Sequence, residues 1–268
     1  MADCFEPLPF GKGMKECPVH GQVMTNYMTK PDGSKFWFAC PKCCEEREAK
    51  EKSAQEKWEE EKLKSDLVKA GVKEKFWSMT FDDYKPQNES QEKALSLVKA
   101  IAEGSSKRSL ILIGPNGTGK TMLATLALMS MIKKGKKGFI RKMYEIIIRI
   151  KASYKANAKE DEQDILSELS KVPLLVIDEV GRQFGSKSER NWLSYVIDER
   201  YEDLESESPT PTILISNLKL MRDCSDKEKE LGSYLERYLG ADSVSRLAEC
   251  ADIVSLEGKD FRRNVLTQ

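Results

Sequence analysis

Apolar positions along this chain fall into distinct regimes. Over residues 45–75 they are sparse and helically spaced (Trp58, Leu63, Leu67, Val68) among interleaved Glu and Lys. That pattern predicts a solvated helix or helical linker, with a partner-binding helix as the sharper alternative. From Phe76 onward, short apolar runs alternate with amphipathic stretches. The run Ser109 to Ile113, closed by Gly114, predicts a buried parallel strand. Further strands are predicted over 138–142, 174–177, 212–216 and 253–256. Helices are predicted over 90–103, 121–133, 144–154 and 189–204, with another starting at 164–169 after a polar loop at 155–163. Strands alternating with helices imply an α/β fold built on a parallel, doubly wound sheet. Residues 1–44 follow neither pattern and hold cysteines, glycines, prolines and short aromatic pieces such as Phe36-Trp37-Phe38. The expected division is therefore a small module at 1–44, a charged helical linker at 45–75 and an α/β domain at 76–268.

Composition narrows this picture only slightly. The 268 residues suffice for one sizeable α/β core plus a small accessory module. Forty-four basic residues balance 44 acidic ones, so bulk charge gives no reason to expect nucleic acid, although a local basic patch stays open. No apolar run approaches the ~18 residues that span a bilayer. The stretch Met1 to Phe10 lacks a basic segment followed by an apolar one. A cytoplasmic chain with no membrane partner is expected. In that compartment the 7 cysteines point to thiols or a metal rather than disulfides. Five precede residue 45, while Cys224 and Cys250 stand apart and read as small buried hydrophobes.

The strongest chemistry lies at Gly114-Pro-Asn-Gly-Thr-Gly-Lys-Thr121, a full match to G-x-x-x-x-G-K-[ST] between a predicted strand and a predicted helix. Glycines there let the backbone wrap a phosphate chain, and the helix N-terminus supplies positive potential. Gly114, Pro115, Asn116, Gly117, Thr118, Gly119, Lys120, Thr121 and Met122 form the expected cradle for ATP. Lys120 is expected to reach the β- and γ-phosphates, and Thr121 to ligate Mg²⁺. In Leu174-Leu-Val-Ile-Asp178-Glu179 two carboxylates follow a strand, at the end where open α/β sheets bind ligands. Asp178 is expected to hold the Mg²⁺ through water and Glu179 to polarise an attacking water; a helix N-cap is the bland alternative. Asn217, ending Thr212-Ile-Leu-Ile-Ser216-Asn217, suits a γ-phosphate contact or a simple turn equally.

A second constellation precedes it. Cys17-Pro-Val-His20 and Cys40-Pro-Lys-Cys43 are two C-x-x-[CH] turns separated by 19 residues, and His20 is the only histidine. Cys17, His20, Cys40 and Cys43 make a Cys₃His set suited to structural Zn²⁺, with no position left open for catalysis. Cys44 breaks the spacing, and Cys4 reads as a free thiol. A region this small has little core, so the metal would hold its fold.

Taken in order, these elements resemble the DnaC-type helicase loaders, a branch of the AAA+ P-loop ATPases shared with the IstB-type transposition ATPases. The resemblance covers roughly residues 68–268. It starts at Ala70-Gly71-Val72 and Phe76-Trp-Ser-Met-Thr80-Phe81-Asp-Asp-Tyr84. It passes through the P-loop, Leu174 to Gly181, Ile197-Asp-Glu-Arg-Tyr201 and Ser216-Asn217, and ends at Val244-Ser245-Arg246-Leu247 and Asp260-Phe261-Arg262. It implies that Asn217 senses the γ-phosphate, that Arg246 is an arginine finger acting on a neighbouring subunit (Arg237 being its rival), and that Arg262 is a second sensor arginine. It further implies self-assembly, single-stranded DNA, and a hexameric replicative helicase gripped by the N-terminal region. Arg141, Lys142, Arg149, Lys151, Tyr154 and Lys155 read either as DNA contacts in that scheme or as a solvated basic helix face. Two other functions stay open: a transposition regulator on duplex DNA, and a nucleotide-gated adaptor with little turnover. The zinc module departs from the best-known loader of this type.

Overall fold

The computed structural model describes residues 10–182, 185–202, 210–258 and 260–261. They form two compact units that divide between Lys62 and Leu63.

The first unit contains an antiparallel sheet of β1 (Phe10–Cys17), β2 (Gly21–Thr29) and β3 (Lys35–Trp37) in that order. Its buried core is small: Cys17, Val23 and Cys40, with Cys43 packed against them. Helix α1 (Pro41–Ala70) follows. It starts before the expected residue 45 because Pro41 suits the first helical turn, where its missing N–H is not needed. It stops before 75 because Gly71, at φ 85°, takes the left-handed conformation that ends a helix, and Val72 N–H closes back on Leu67 O at 2.9 Å.

The second unit is built on a parallel sheet of β4 (Ser109–Ile113), β5 (Gly138–Lys142), β6 (Leu174–Val180), β7 (Thr212–Ser216) and β8 (Ala251–Ser255). The spatial order is β5-β6-β7-β4-β8, with every pairing parallel. Side chains alternate faithfully between two layers. Leu110, Leu112, Val176, Ile213 and Ile215 join one core with α2 (Glu89–Glu103) and α3 (Lys120–Lys133). Ile111, Ile113, Leu175, Ile177 and Leu214 join the other with α4 (Met143–Ser153), α5 (Glu162–Lys171) and α6 (Lys187–Glu202). Burial on both faces is why these strands read as continuous apolar runs.

Three short helices complete the unit: α7 (Asp226–Glu230), α8 (Glu236–Leu239) and α9 (Ala241–Cys250). Some boundaries differ from the expected ones. α5 starts two residues early because Asp161 accepts from Asp164 N–H at 2.8 Å, while the Asp164 carboxylate takes Asp161 N–H at 3.2 Å. β8 includes the polar Asp252, whose carboxylate pairs with Arg108 Nε at 3.2 Å. Among the described residues, no helix is long and apolar enough to cross a membrane.

Candidate functional site

The carboxyl ends of β4, β6 and β7 open onto one cavity of about 670 Å³ in the second unit. The loop after β4 forms its floor. At Gly114 (φ 135°) a Cβ would lie 2.2 Å from the carbonyl oxygen of Leu256, so only glycine fits this turn. Gly119, at φ 90°, sits at the cap position of α3, which has no side-chain cap there. That leaves the helix end suited to an anion. Lys120 is buried and donates through Nζ to Gly114 O at 2.7 Å and Pro115 O at 2.6 Å. Thr118 donates from Oγ1 to Pro115 O at 3.1 Å. Gly114, Pro115 and Thr118 therefore shape the loop and hold its lysine, whereas Asn116, Gly117, Gly119, Lys120, Thr121 and Met122 line the cavity.

Thr121 Oγ1 donates to Asp178 Oδ2 at 2.9 Å, and Glu179 N–H donates to Asp178 Oδ1 at 2.8 Å. Burial pushes the Asp178 carboxyl above its ordinary pKa. An acid so placed beside a hydroxyl is suited to a hard cation such as Mg²⁺. Glu179 is the non-glycine residue with positive φ (59°) among those described, and it sits where the β6–β7 register shifts between Ile177 and Val180. In a regular strand neighbouring side chains point to opposite faces. The shift lets Asp178 and Glu179 line the same cavity. Glu179 is paired with Lys142 Nζ at 3.0 Å and Arg182 Nη1 at 3.2 Å. Asn217 donates from Nδ2 to Asn116 Oδ1 at 2.9 Å, which ties the end of β7 to the loop after β4.

Other lining residues carried no expected site role. Lys75, Phe76, Met79 and Tyr84 form a wall, and the Tyr84 hydroxyl donates to Thr118 O at 3.4 Å. Their aromatic lead-in stood out in the sequence only as part of the resemblance. Phe261 also lines the cavity, its N–H reaching Gly117 O at 3.3 Å.

The expected arginines lie elsewhere. Arg246, on α9, is 2.8 Å from Asp198 of α6, an ion pair without the alignment of a hydrogen bond, and is not part of this cavity. Arg237 donates to Leu231 O at 3.1 Å. Arg262 lies outside the described residues.

The basic stretch that starts at the end of β5 is not a free cationic stripe. Arg141 donates to Ala70 O and Lys69 O, both at 2.7 Å. Arg149 forks onto Glu160 and Glu168, Lys151 lies 3.7 Å from Glu189, and the Tyr154 hydroxyl donates to Glu162. The expectation of DNA contacts from these groups is thus narrowed: most of their charge is met by the protein's own acids and carbonyls.

In the first unit the donor atoms of Cys17, His20, Cys40 and Cys43 all lie within 4.8 Å of one another. Cys17 Sγ is 3.5 Å from Cys43 Sγ, and His20 Nδ1 is 3.8, 3.7 and 3.3 Å from Cys17, Cys40 and Cys43. Donors about 2.3 Å from a tetrahedral ion lie about 3.8 Å apart, so the set could hold Zn²⁺. His20 turns its other nitrogen, Nε2, to Glu46 Oε1 at 3.0 Å. Glu46 had no signal in the ligand spacing, because it lies one turn into α1.

Residues 50–265 match the sequence pattern of the family described as IstB-like ATP binding protein. The chain is 31% identical over 154 residues to the replicative helicase loader DnaC of Buchnera aphidicola subsp. Acyrthosiphon pisum, covering 57% of this chain and 61% of that protein. It is 31% identical over 155 residues to DnaC of Escherichia coli K12, covering 57% and 62%. The chain thus spans about three-fifths of the length of these relatives. A crystal structure of the DnaC helicase loader superposes with a TM-score of 0.55 at 26% identity, covering 69% of this chain and 100% of that one. The replication initiator DnaA bound to AMPPCP and single-stranded DNA shares the fold, with a TM-score of 0.53 at 19% identity over 70% of this chain and 51% of that one.

Proposed function

The chain belongs to the family of IstB-like ATP binding proteins and has the AAA+ P-loop fold, and on that premise we propose that it hydrolyses ATP to load a hexameric replicative helicase onto single-stranded DNA. The observation that carries the reading is the convergence of Lys120, Thr121, Asp178, Glu179 and Asn217 on one cavity. Lys120 exchanges its loop carbonyls for phosphate oxygens, and the loop N–H groups cradle the chain. Thr121 and Asp178 would hold Mg²⁺, which neutralises charge on the phosphates. Glu179 orients a water for attack on the γ-phosphorus; the bond to the bridging oxygen breaks, and ADP and phosphate leave. Asn217 reads whether the γ-phosphate is present and passes that to the loop through Asn116.

Arg246 is the finger offered to a neighbouring protomer, which requires it to leave Asp198. The hydrolysis cycle is then a clock for an assembly, since each active site is completed by the next copy. Zn²⁺ held by Cys17, His20, Cys40 and Cys43 supplies the fold of an N-terminal unit whose core is otherwise minimal. That unit grips the helicase.

Mass photometry of the protein with a replicative helicase, in ATP, ADP and no nucleotide, tests the reading. A complex that forms with ATP and dissolves after hydrolysis is expected; no complex under any nucleotide condition overturns it. A preference for duplex over single-stranded DNA in the same samples favours the transposition function of the family's namesake.

A further inference from the structure

The three-stranded sheet of the first unit has two unlike faces. On one, the rings of Tyr27 and Trp37 lie over Gly11 and Gly13, where a Cβ would press on them. Alternation along β1 and β2 puts Cys17 and Val23, part of the buried core, on that same face. The opposite face presents Phe10, Met28 and Phe36 in one cross-strand row, and Lys12 beside Asn26 in the next. Phe38 follows β3, its N–H bonded to Asn26 O at 2.9 Å. Phe10 is 67% exposed, Phe36 52% and Phe38 37%. The three rings gather: Phe10 and Phe38 stack with centroids 6.1 Å apart, and Phe36 meets Phe38 edge-on at 5.9 Å.

A cluster of exposed rings calls for an occupant that covers their faces. Charge says which one. Over residues 10–37 the lysines Lys12, Lys15, Lys30 and Lys35 stand against only Glu16 and Asp32. Asp32 is turned into the loop between β2 and β3, where it accepts from Ser34 N–H at 2.8 Å and from the Ser34 hydroxyl at 2.6 Å. Among the described residues, no acid forms an ion pair with these lysines. Their ammonium groups rest on rings instead: Lys30 lies 6.0 Å from the centre of Phe36, and Lys35 4.2 Å from that of Tyr27. In the second unit, by contrast, Arg149 and Lys151 already meet acids. Exposed rings flanked by unpaired cations suit a ligand that carries flat bases on an anionic backbone. A duplex hides its base faces, and an apolar protein surface leaves the cations without a counter-charge.

We propose that the face bearing Phe10, Phe36 and Phe38 is a platform for single-stranded DNA. Bases stack on the rings, and Lys12 and Lys30 meet the phosphates. This rests on the reading of single-stranded DNA as a partner and gives that partner a surface in the first unit. None of these residues lines the ATP cavity, so the platform binds without nucleotide.

The test is photo-cross-linking of the full chain, without nucleotide, to an oligothymidylate carrying 5-iododeoxyuridine, followed by peptide mass spectrometry. Cross-links at Phe10, Phe36 or Phe38 are expected. Fluorescence anisotropy with the same strand measures affinity in parallel, and circular dichroism verifies folding. The variant Phe36→Leu with Phe38→Leu keeps apolar bulk but removes two rings, and it should bind at least about fivefold more weakly. Phe36→Tyr with Phe38→Tyr keeps both rings and should stay within about twofold of the wild type. Lys12→Gln with Lys30→Gln should flatten the slope of log affinity against log salt by about 0.7 per lysine. Cross-links confined to residues 63–268 overturn the platform, as does a leucine variant that binds like the wild type or equal affinity for a duplex of the same length. Mass photometry of the leucine variant with a replicative helicase separates the two partners. A helicase complex kept while DNA is lost supports the platform; a helicase complex lost while DNA binding is kept assigns the face to the helicase and overturns it. A wild-type chain that forms no helicase complex refutes the loader function, and cross-links on the three rings then still establish the platform.

Discussion

The hydroxyl of Thr121 donates to Asp178 Oδ2 across 2.9 Å, joining the first turn of α3 to the end of β6. This acid is in conflict with its surroundings: burial pushes its pKa up, so the fold disfavours the ionised form that a cation requires. Asp178→Asn removes that conflict, and rotation of the Thr121 hydroxyl gives the new amide a partner. A carboxyl whose folded pKa is raised destabilises the protein above its ordinary titration range, and that penalty disappears as pH falls through it. The variant should therefore melt above the wild type at pH 7, with the difference shrinking toward pH 4, while Mg²⁺-dependent turnover is lost. Calorimetry at the two pH values checks it; a variant that melts lower at pH 7 refutes the account.

Lys120→Ala should cost both binding and stability. Its ammonium donates to Gly114 O at 2.7 Å and Pro115 O at 2.6 Å; truncation removes this donor from Gly114 O, while Pro115 O keeps the Thr118 hydroxyl. A lost partner of this kind costs about 1–3 kcal/mol, or about 2–4 °C per kcal/mol in a unit of this size. ATP affinity should fall by at least about tenfold, because the charge facing the phosphates goes with it. Titration with a fluorescent ATP analogue, beside a melting curve, reads the two losses separately.

What could be read before the structure was whatever chemistry is local in the chain. Gly114 to Thr121 carries its own spacing, and Leu174 to Glu179 shows strand and acids together. The central strands were legible because both their faces are buried, which turns them into unbroken apolar runs. Contacts set by the sheet were not legible. Lys142 and Glu179 lie 37 positions apart and meet only because β5 pairs with β6. The positive φ of Glu179 depends on a register shift with β7, which no residue type announces. The partners of the basic stretch were not legible for the same reason: the sequence shows Arg149 and Lys151, but not that Glu168 of α5 and Glu189 of α6 come to meet them.

Arg149→Gln separates internal pairing from DNA contact. Arg149 donates Nε to Glu160 Oε1 at 2.8 Å and Nη1 to Glu168 Oε2 at 2.5 Å, and this bonding raises its pKa. Its loss should lower the melting temperature by about 1–4 °C, as for a partly exposed network. Single-stranded DNA affinity, measured at fixed salt by fluorescence anisotropy, should change less than about twofold, since an internally paired group releases few counterions. A drop of tenfold with unchanged stability would return Arg149 to the DNA surface.

Glu46→Gln tests the thiol cluster from outside its ligands. His20 Nδ1 faces the three thiols while Nε2 meets Glu46 at 3.0 Å, an arrangement that fixes the ring and leaves Nδ1 as the metal-facing nitrogen. A carboxylate behind a ligating histidine typically contributes about 10–100-fold in metal affinity. The glutamine keeps the hydrogen bond but loses the charge, so zinc affinity measured by competition with a chromophoric chelator should fall toward the lower end of that range. Full removal of zinc should unfold the β1–β3 sheet, whose apolar core among the described residues is Cys17, Val23 and Cys40. The ATP-binding unit has its own two-layered core, so its melting transition should persist in the chelator-treated protein. Loss of both transitions together would show that the zinc cluster supports the second unit as well.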